Sequence, residues 1–311
     1  MGSYLYKEKT EEEKLKDLIH DDGILTMIKF SSEKIASGSL DAKIILYNYK
    51  EGKLTPFNCL LGSYGGVSAL LEYNDNKLIS GDTYGNLYYW DIKELKLINT
   101  YKPHSWHIYK LVNINFNRVA SCSYDRIINI YNVNDNFRID VSLNSHSSNV
   151  FDMIFSNKNN ILISGSNDNT MIFWDLSSKN DIKQVNKKEF ESKITTIAEF
   201  CNGNIAVASS DMNITFFNNF SIINVLKTDH TESISKILEL RNKDFITGSY
   251  DYTCNIYSKD YALKHCIKKH TFFVSSILQM DDGVIITGSE DSRIILHDEN
   301  TYHILQRVFK E

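Results

Sequence analysis

Along the chain, a short apolar run is repeatedly followed by a tight turn of small and acidic residues and then by a run of alternating apolar and polar residues. Such a pair of runs across a turn is typical of a β-hairpin. Seven segments share the pattern, at residues 37–48, 80–91, 121–132, 164–175, 207–218, 247–258 and 287–298. Their second residues, at positions 38, 81, 122, 165, 208, 248 and 288, are 43, 41, 43, 43, 40 and 40 residues apart. The chain therefore contains seven copies of one structural unit.

Each hairpin is flanked by two more predicted strands. The upstream strands are predicted at residues 24–30, 67–73, 108–114, 150–155, 194–200, 234–240 and 274–280, and a more polar strand follows each hairpin. Seven units of four antiparallel strands without helices predict an all-β fold, a seven-bladed β-propeller, in which each small sheet buries both faces against its neighbours. We expect an N-terminal tail at residues 1–12 and a single propeller domain over residues 13–311.

Two segments could supply the outer strand that closes the ring. Residues 13–23 resemble the strand that precedes a unit, whereas residues 303–309 resemble a strand that follows the last one. We favour closure by the N-terminal segment.

Composition argues against charged polymers as partners. The 311 residues include 34 basic and 39 acidic side chains, a net charge of −5, and 42% hydrophobic residues that can form a substantial core. Proteins that bind nucleic acid or anionic membranes usually carry a basic excess. The five cysteines are scattered without a CxxC pair, which favours a reducing compartment. We expect no nucleic-acid or membrane partner and a cytoplasmic location, with the nucleus as the alternative.

Motifs that would indicate catalysis are missing from the sequence. It has no glycine-rich phosphate loop, no nucleophile elbow and no HExxH. His104 and His107 lie three residues apart, but no nearby cysteine or carboxylate completes a metal site. We therefore expect no enzymatic activity, no metal, no cofactor and no small-molecule substrate.

A histidine precedes the first strand in five units, and an aspartate follows it 21 or 22 residues later in the hairpin turn. The pairs are His20 and Asp41, His104 and Asp125, His146 and Asp168, His230 and Asp251, and His270 and Asp291. This pattern resembles the WD repeat, whose units also carry a Ser or Thr on the second strand and a Trp at the end of the third. The fourth unit has the complete set His146, Ser164, Asp168 and Trp174.

The second and fifth units depart from the pattern. Ser63 and Tyr84 replace the His and the Asp in the second unit, and Phe190 and Val207 replace the His and the Ser in the fifth. Because the His and Asp pair recurs five times, we interpret it as a structural hydrogen-bond network that braces each turn. A catalytic site would need one asymmetric constellation.

The resemblance implies that partners dock on the top face of the propeller, around the central channel. Aromatic side chains occupy the corresponding positions of the third and fourth units, with others across the channel: Trp106, His107, Tyr109, Tyr124 and Phe151, and then Tyr250 and Phe273. We expect these residues to bind protein or peptide segments. Alternatively, some of the rings only fill the channel or pack on neighbouring loops.

The expected function is that of a non-catalytic protein-interaction scaffold, adaptor or subunit of a multiprotein complex. The alternative is a substrate receptor of a ubiquitin-ligase-type complex. That role would need a docking motif, and the nearest approach to Trp-Asp-x-Arg, at residues 90–93, ends in Lys93.

Overall fold

A computed structural model describes residues 18–30, 33–74, 76–115, 117–178 and 182–309. In this part of the chain, 28 strands form seven four-stranded antiparallel sheets, accompanied by one short 3-10 helix, Val133–Asp135. The predicted all-β, seven-bladed fold is confirmed. The predicted tail, residues 1–12, lies outside the described residues.

The strands are numbered in chain order, and each sheet is one blade. Blade one contains β1 (Ile24–Lys29), β2 (Lys34–Ser39), β3 (Ile44–Lys50) and β4 (Lys53–Leu60), and blade two contains β5 (Val67–Asn74), β6 (Lys77–Asp82), β7 (Leu87–Asp91) and β8 (Lys96–Tyr101). Blade three contains β9 (Ile108–Asn115), β10 (Arg118–Ser123), β11 (Ile128–Asn132) and β12 (Arg138–Leu143), and blade four contains β13 (Val150–Ser156), β14 (Ile161–Ser166), β15 (Thr170–Asp175) and β16 (Lys183–Glu189).

The remaining blades follow the same order. Blade five contains β17 (Ile194–Glu199), β18 (Ile205–Ser209), β19 (Asn213–Asn218) and β20 (Ser221–Lys227), and blade six contains β21 (Ile234–Glu239), β22 (Phe245–Ser249), β23 (Cys254–Tyr257) and β24 (Leu263–Ile267). Blade seven contains β25 (Val274–Gln279), β26 (Ile285–Ser289), β27 (Ile294–His297) and β28 (Ile304–Val308). The first strand of each blade contacts the first strand of the next around the ring, so these seven strands surround the central channel.

The hydrophobic core lies between neighbouring blades, and a small residue at the second hairpin position allows their close approach. A Cβ on Gly38 would lie 2.5 Å from Val67 of the next blade, and one on Gly165 would lie 2.4 Å from Ile194. Because real Cβ atoms do not approach other heavy atoms so closely, any larger side chain at these positions would force the blades apart. The recurring small residue in the sequence pattern therefore marks the packing of one blade on the next.

The C-terminal segment supplies the outer strand of blade seven. Strand β28 pairs antiparallel with β27, with Val308 opposite Ile294. Our preference for residues 13–23 as the closing strand is therefore wrong. Residues 18–23 form a turn and loop that lead into β1, and residues 13–17 lie outside the described part of the chain. The physical reason is local: in every blade the outer strand follows the third strand directly across a turn.

In the described part of the chain, side chains join blade seven to blade one. The Gln306 side-chain amide accepts a hydrogen bond from the Leu54 N–H at 2.6 Å and donates one to the Leu54 carbonyl at 2.9 Å. The Tyr49 hydroxyl donates to Asp282 at 2.6 Å. Buried apolar residues of both blades pack into one cluster behind these contacts. Ring closure thus depends on side-chain hydrogen bonds and apolar packing.

Candidate functional site

One end of the propeller is formed by the loops that enter the first strands and by the turns between the second and third strands, and we call this end the top face. In every blade, the N–H before the turn Asp position donates to the carbonyl before the first strand, at 2.8–3.0 Å. The donors are Leu40, Thr83, Tyr124, Asn167, Ser210, Tyr250 and Glu290. The acceptors are Gly23, Gly66, His107, Asn149, Lys193, Ser233 and Phe273. These bonds hold the predicted docking positions at one end of the ring.

Each of the five recurring histidines forms hydrogen bonds through both of its ring nitrogens. In each of these blades Nδ1 lies 2.8–3.0 Å from the turn aspartate, and Nε2 lies 2.7–2.8 Å from a buried Ser or Thr hydroxyl. The histidines are His20, His104, His146, His230 and His270, with Asp41, Asp125, Asp168, Asp251 and Asp291 as their partners. Each aspartate also accepts the N–H of the residue after the histidine, at 2.8–3.1 Å.

These contacts lower the pKa of the turn aspartates. Burial alone raises the pKa of Asp41, but the hydrogen bond and charge of His20 together with two backbone N–H groups outweigh it, so the net pKa is below the usual value. Burial also lowers the pKa of His146, more than Asp168 raises it. The imidazole is therefore neutral at physiological pH, with Nδ1 donating to the carboxylate and Nε2 accepting from the hydroxyl.

Blade four extends the network to its tryptophan. Ser164 donates to His146 Nε2 at 2.8 Å and accepts from Trp174 Nε1 at 2.9 Å. In blade three the Tyr131 hydroxyl lies 2.5 Å from the Ser121 hydroxyl, at the position that Trp174 occupies in blade four. One polar chain therefore runs from the turn into the core.

Blade two builds a different network, which the sequence analysis missed. The Tyr88 hydroxyl donates to Asp82 at 2.8 Å, and Asp82 also accepts the N–H groups of Tyr84 and Asn86. Asp82 is completely buried. A Tyr and Asp pair thus replaces the His and Asp pair, with the carboxylate moved to the end of the second strand. The signal in the sequence is Asp82, which stands where all six other units have a serine.

Blade five keeps only the turn aspartate. Asp211 accepts from the Ser209 hydroxyl at 2.6 Å and from the Asn213 N–H at 3.2 Å. The histidine position is occupied by Phe190, whose ring centroid lies 6.0 Å from that of Phe217. The histidine, the hydroxyl and the tryptophan are therefore all replaced by apolar side chains, which leaves no buried donor unmatched among them.

The predicted aromatic residues of blades three and four form one continuous group, which we call the aromatic stack. Tyr109 stacks on Phe151 at 4.3 Å and on His107 at 4.2 Å between ring centroids. Tyr124 lies 6.5 Å from Tyr109 and 5.9 Å from Trp106. Trp106 is 61% exposed and Tyr124 is 47% exposed, whereas the other three rings are partly buried. The alternative expectation, that some rings pack within the channel, therefore fits His107, Tyr109 and Phe151 better than the exposed Trp106 and Tyr124.

The aromatic stack carries no charge near neutral pH. Burial lowers the pKa of His107 to about 4, against the opposing attraction of Asp82. Burial also raises the pKa of Tyr109. The stack is therefore a neutral surface with hydroxyl and imidazole groups at its edges.

Across the channel, Tyr250 and Phe273 belong to a second aromatic group. Their rings lie 4.7 Å apart, edge to face. Tyr252 and Phe272, which the sequence analysis did not select, stack on each other at 5.7 Å and are about 40% exposed. The sequence could have indicated both residues, because each lies within two positions of Tyr250 or Phe273.

The described residues contain no group of three or more His, Cys, Asp or Glu side chains that converges as a metal site. His104 is held by Asp125 and Ser121, and His107 stacks on Tyr109. In the described ranges, no helix combines the length and the apolar character that a bilayer crossing demands.

The fold is that of a seven-bladed β-propeller, and two segments of the chain match a model of the WD repeat. The family model for the WD domain, G-beta repeat, matches residues 95–132 and 138–175. The sequence-based identification of WD repeats is therefore confirmed. The WD40 β-propeller domain of Doa1 superimposes with a TM-score of 0.78 at 20% sequence identity, covering 91% of this chain and 95% of that one. At this identity the likeness concerns the fold.

Similar curated proteins are longer. The chain is 25% identical over 179 residues to Protein FIZZY-RELATED 3 of Arabidopsis thaliana, covering 57% of this chain and 37% of that protein. It is 28% identical over 162 residues to the B-type cell cycle switch protein ccs52B of Medicago truncatula, covering 52% and 33%. It is 22% identical over 185 residues to Protein SOF1 of Saccharomyces cerevisiae, covering 55% and 37%. The matched region spans about a third of each relative's length.

Proposed function

We propose that this chain is a non-catalytic interaction scaffold or complex subunit that binds a peptide segment of a partner protein over the aromatic stack. The observation that carries this proposal is the continuous set of ring contacts from the exposed Trp106 to the partly buried Phe151. Exposed Trp and Tyr side chains supply large contact areas with few rotatable bonds, and such residues dominate binding energies at protein interfaces.

The backbone that carries the stack is rigidly held, which favours binding. The Ser123 hydroxyl donates to the Trp106 carbonyl at 3.1 Å, and the Tyr124 N–H donates to the His107 carbonyl at 2.9 Å. Asp125 accepts the Ser105 N–H at 3.1 Å. A surface that is ordered before the partner arrives loses less conformational entropy on binding. The hydrogen-bond network of blade three therefore supports the docking surface directly.

The His and Asp pairs are unsuited to catalysis because substrates cannot reach them. The hydroxyls that bond to Nε2 are completely buried, as Ser121 and Ser164 illustrate. A catalytic triad requires an exposed nucleophile within reach of a reacting carbonyl. WD-repeat propellers generally act as non-catalytic scaffolds, which agrees with a structural role of the His and Asp pairs.

The role of ubiquitin-ligase substrate receptor remains the second candidate, and it would add a docking motif for the ligase. Lys93 stands at the place of the arginine in the motif that such receptors carry, so we favour the scaffold role.

Affinity purification from an extract of the source cells tests the proposal. The Trp106→Ala/Tyr124→Ala variant should lose the partners that the wild-type protein retains, because it removes the two exposed rings. Ile222→Ala is the matched control, since Ile222 is 61% exposed, as Trp106 is, but lies on the outer strand of blade five. Both variants should stay within about 0.5 kcal/mol of the wild-type unfolding free energy. Retention of every partner by the double variant would contradict the proposal.

A further inference from the structure

Seven equivalent positions on the first strands form one level of the central channel. Each is paired with the second residue of its hairpin, at positions 38, 81, 122, 165, 208, 248 and 288. In chain order they are Thr26, Ala69, Lys110, Asp152, Thr196, Lys236 and Ser276. Two lysines and one aspartate thus meet in a ring of otherwise small, neutral side chains.

Asp152 is fully engaged by the protein itself. Its carboxylate accepts the Thr196 hydroxyl, the Ile197 N–H and the Met153 N–H, each at 2.9 Å. Lys110 Nζ lies 3.6 Å from the carboxylate, which is close enough for an ion pair but longer than a hydrogen bond. Burial raises the pKa of Asp152, but the two lysines and the hydrogen bonds from Ile197 and Thr196 lower it by more. The net pKa is below the usual value, so the carboxylate is ionised.

Lys236 is the second lysine of this level. Among the described residues, none forms a hydrogen bond or an ion pair with its ammonium group. The side chain is only partly exposed. Burial and the charge of Lys110 lower its pKa more than Asp152 raises it. Partial burial of a cation is costly unless it is paired, so an anion that reaches Lys236 would be stabilised there.

The lysines lie directly beneath the aromatic stack. Lys110 follows Tyr109 on β9, and Asp152 follows Phe151 on β13, so the charged level is one residue further into the channel than the stacked rings. The Lys110 side chain is 37% exposed, which shows that the channel is open to solvent at this level. A side chain that enters past the stack would meet two ammonium groups.

We propose that Lys110 and Lys236 receive a carboxylate in the channel, supplied by an Asp or Glu side chain of the peptide that binds the aromatic stack. This inference rests on the proposed function. When both lysines are protonated, as a bound carboxylate would favour, they and the one engaged aspartate leave a surplus of one positive charge, which matches a carboxylate. A phosphate would bring a second negative charge close to Asp152, and the level contains no arginine to hold it bidentately. The preferred peptide therefore carries an acidic residue beside an aromatic or aliphatic one.

Selection from a random heptapeptide phage library tests this preference. The wild-type protein should select peptides with Asp or Glu next to a large apolar residue. Lys110→Met/Lys236→Met should lose the acidic preference and keep the apolar one, because methionine preserves side-chain length and removes the charge. The matched control is Lys96→Met/Lys259→Met, which removes two exposed lysines elsewhere and should select as the wild type does.

Affinity measurements on one selected peptide complete the test. Replacing its acidic residue with the corresponding amide should weaken binding to the wild-type protein at least about tenfold, as for other charge-assisted hydrogen bonds. The same replacement should have little effect on the double methionine variant. Added salt should weaken binding of the acidic peptide to the wild-type protein and spare its amide form, a measurement that requires no variant.

The outcomes separate the two proposals. Apolar selection without acidic preference would overturn the carboxylate site and leave the proposed function standing. Tighter binding of a phosphoserine version of the peptide would overturn the choice of carboxylate. If the wild-type protein selects no peptide, both the proposed peptide binding over the aromatic stack and the carboxylate site fail.

Discussion

The completely buried hydroxyl of Ser164 connects the polar network of blade four to its core. It donates to His146 Nε2 at 2.8 Å and accepts from Trp174 Nε1 at 2.9 Å. Ser164→Val would leave both ring nitrogens buried without a partner. An unsatisfied buried polar group costs about 1–3 kcal/mol. We therefore expect the variant to lose roughly 2–6 kcal/mol of unfolding free energy, the sum of two such groups.

Blade five shows how this loss can be reduced. There the equivalent positions hold Phe190, Val207 and Phe217, so no ring nitrogen requires a hydroxyl. Introducing the same three residues into blade four removes Trp174 Nε1, the Ser164 hydroxyl and His146 Nε2 together, so neither hydrogen bond loses only one partner. Replacing all partners of a buried hydrogen bond by apolar groups can be nearly neutral, whereas removing one partner is not. The triple variant should therefore lose less stability than the sum of the three single variants, by at least about 2 kcal/mol.

The assay is urea-induced unfolding followed by far-UV circular dichroism, applied to the wild type, the three single variants and the triple variant. Ser221→Val is the control, because Ser221 lies exposed on an outer strand and its replacement should change the free energy by less than about 0.5 kcal/mol. Additive single effects would refute the reasoning, since they would mean that the three side chains do not act as one network.

Two further predictions concern ring closure and acid stability. Gln306→Ala should lower the unfolding free energy by about 1–2 kcal/mol, because both hydrogen bonds to Leu54 disappear, whereas Gln184→Ala on the outer strand of blade four should have little effect in the same urea assay. Burial raises the pKa of Asp251, but its hydrogen bonds lower it more, so the net pKa in the folded protein is below that in the unfolded chain. The ionised Asp251 therefore stabilises the folded protein above about pH 4, and this stabilisation is lost as the pH falls. Asp251→Asn should therefore show a shallower decline of urea midpoints between about pH 4 and pH 2 than the wild type, and an equally steep decline would contradict this.

Strand positions were largely predictable because they depend on local patterns. The first strand of blade one was predicted at residues 24–30 and is observed at Ile24–Lys29, and that of blade four was predicted at residues 150–155 and is observed at Val150–Ser156. Alternation of apolar and polar residues is a direct consequence of strands that are buried on one or both faces. The repeat spacing then indicated that one arrangement recurs seven times.

The Tyr88 and Asp82 pair of blade two was not predictable in the same way. The other blades carry a serine at the position of Asp82, and the position of Tyr88 varies among them, so only the proximity of the two residues across the hairpin reveals the hydrogen bond. The surplus charge of Lys236 was missed for a related reason. Lys110 and Asp152 lie on other blades, far away in the sequence, and the three meet only because the first strands share one level of the channel.

The sequence by itself determined the number of blades, the strand order within them and the five His and Asp turn networks, because each of these depends on residues that are close along the chain. The tertiary structure alone decided which end supplies the closing strand, which aromatic rings are exposed, and which charges meet in the channel. These features depend on contacts between blades, where packing and electrostatics act across distances that the order of residues does not encode.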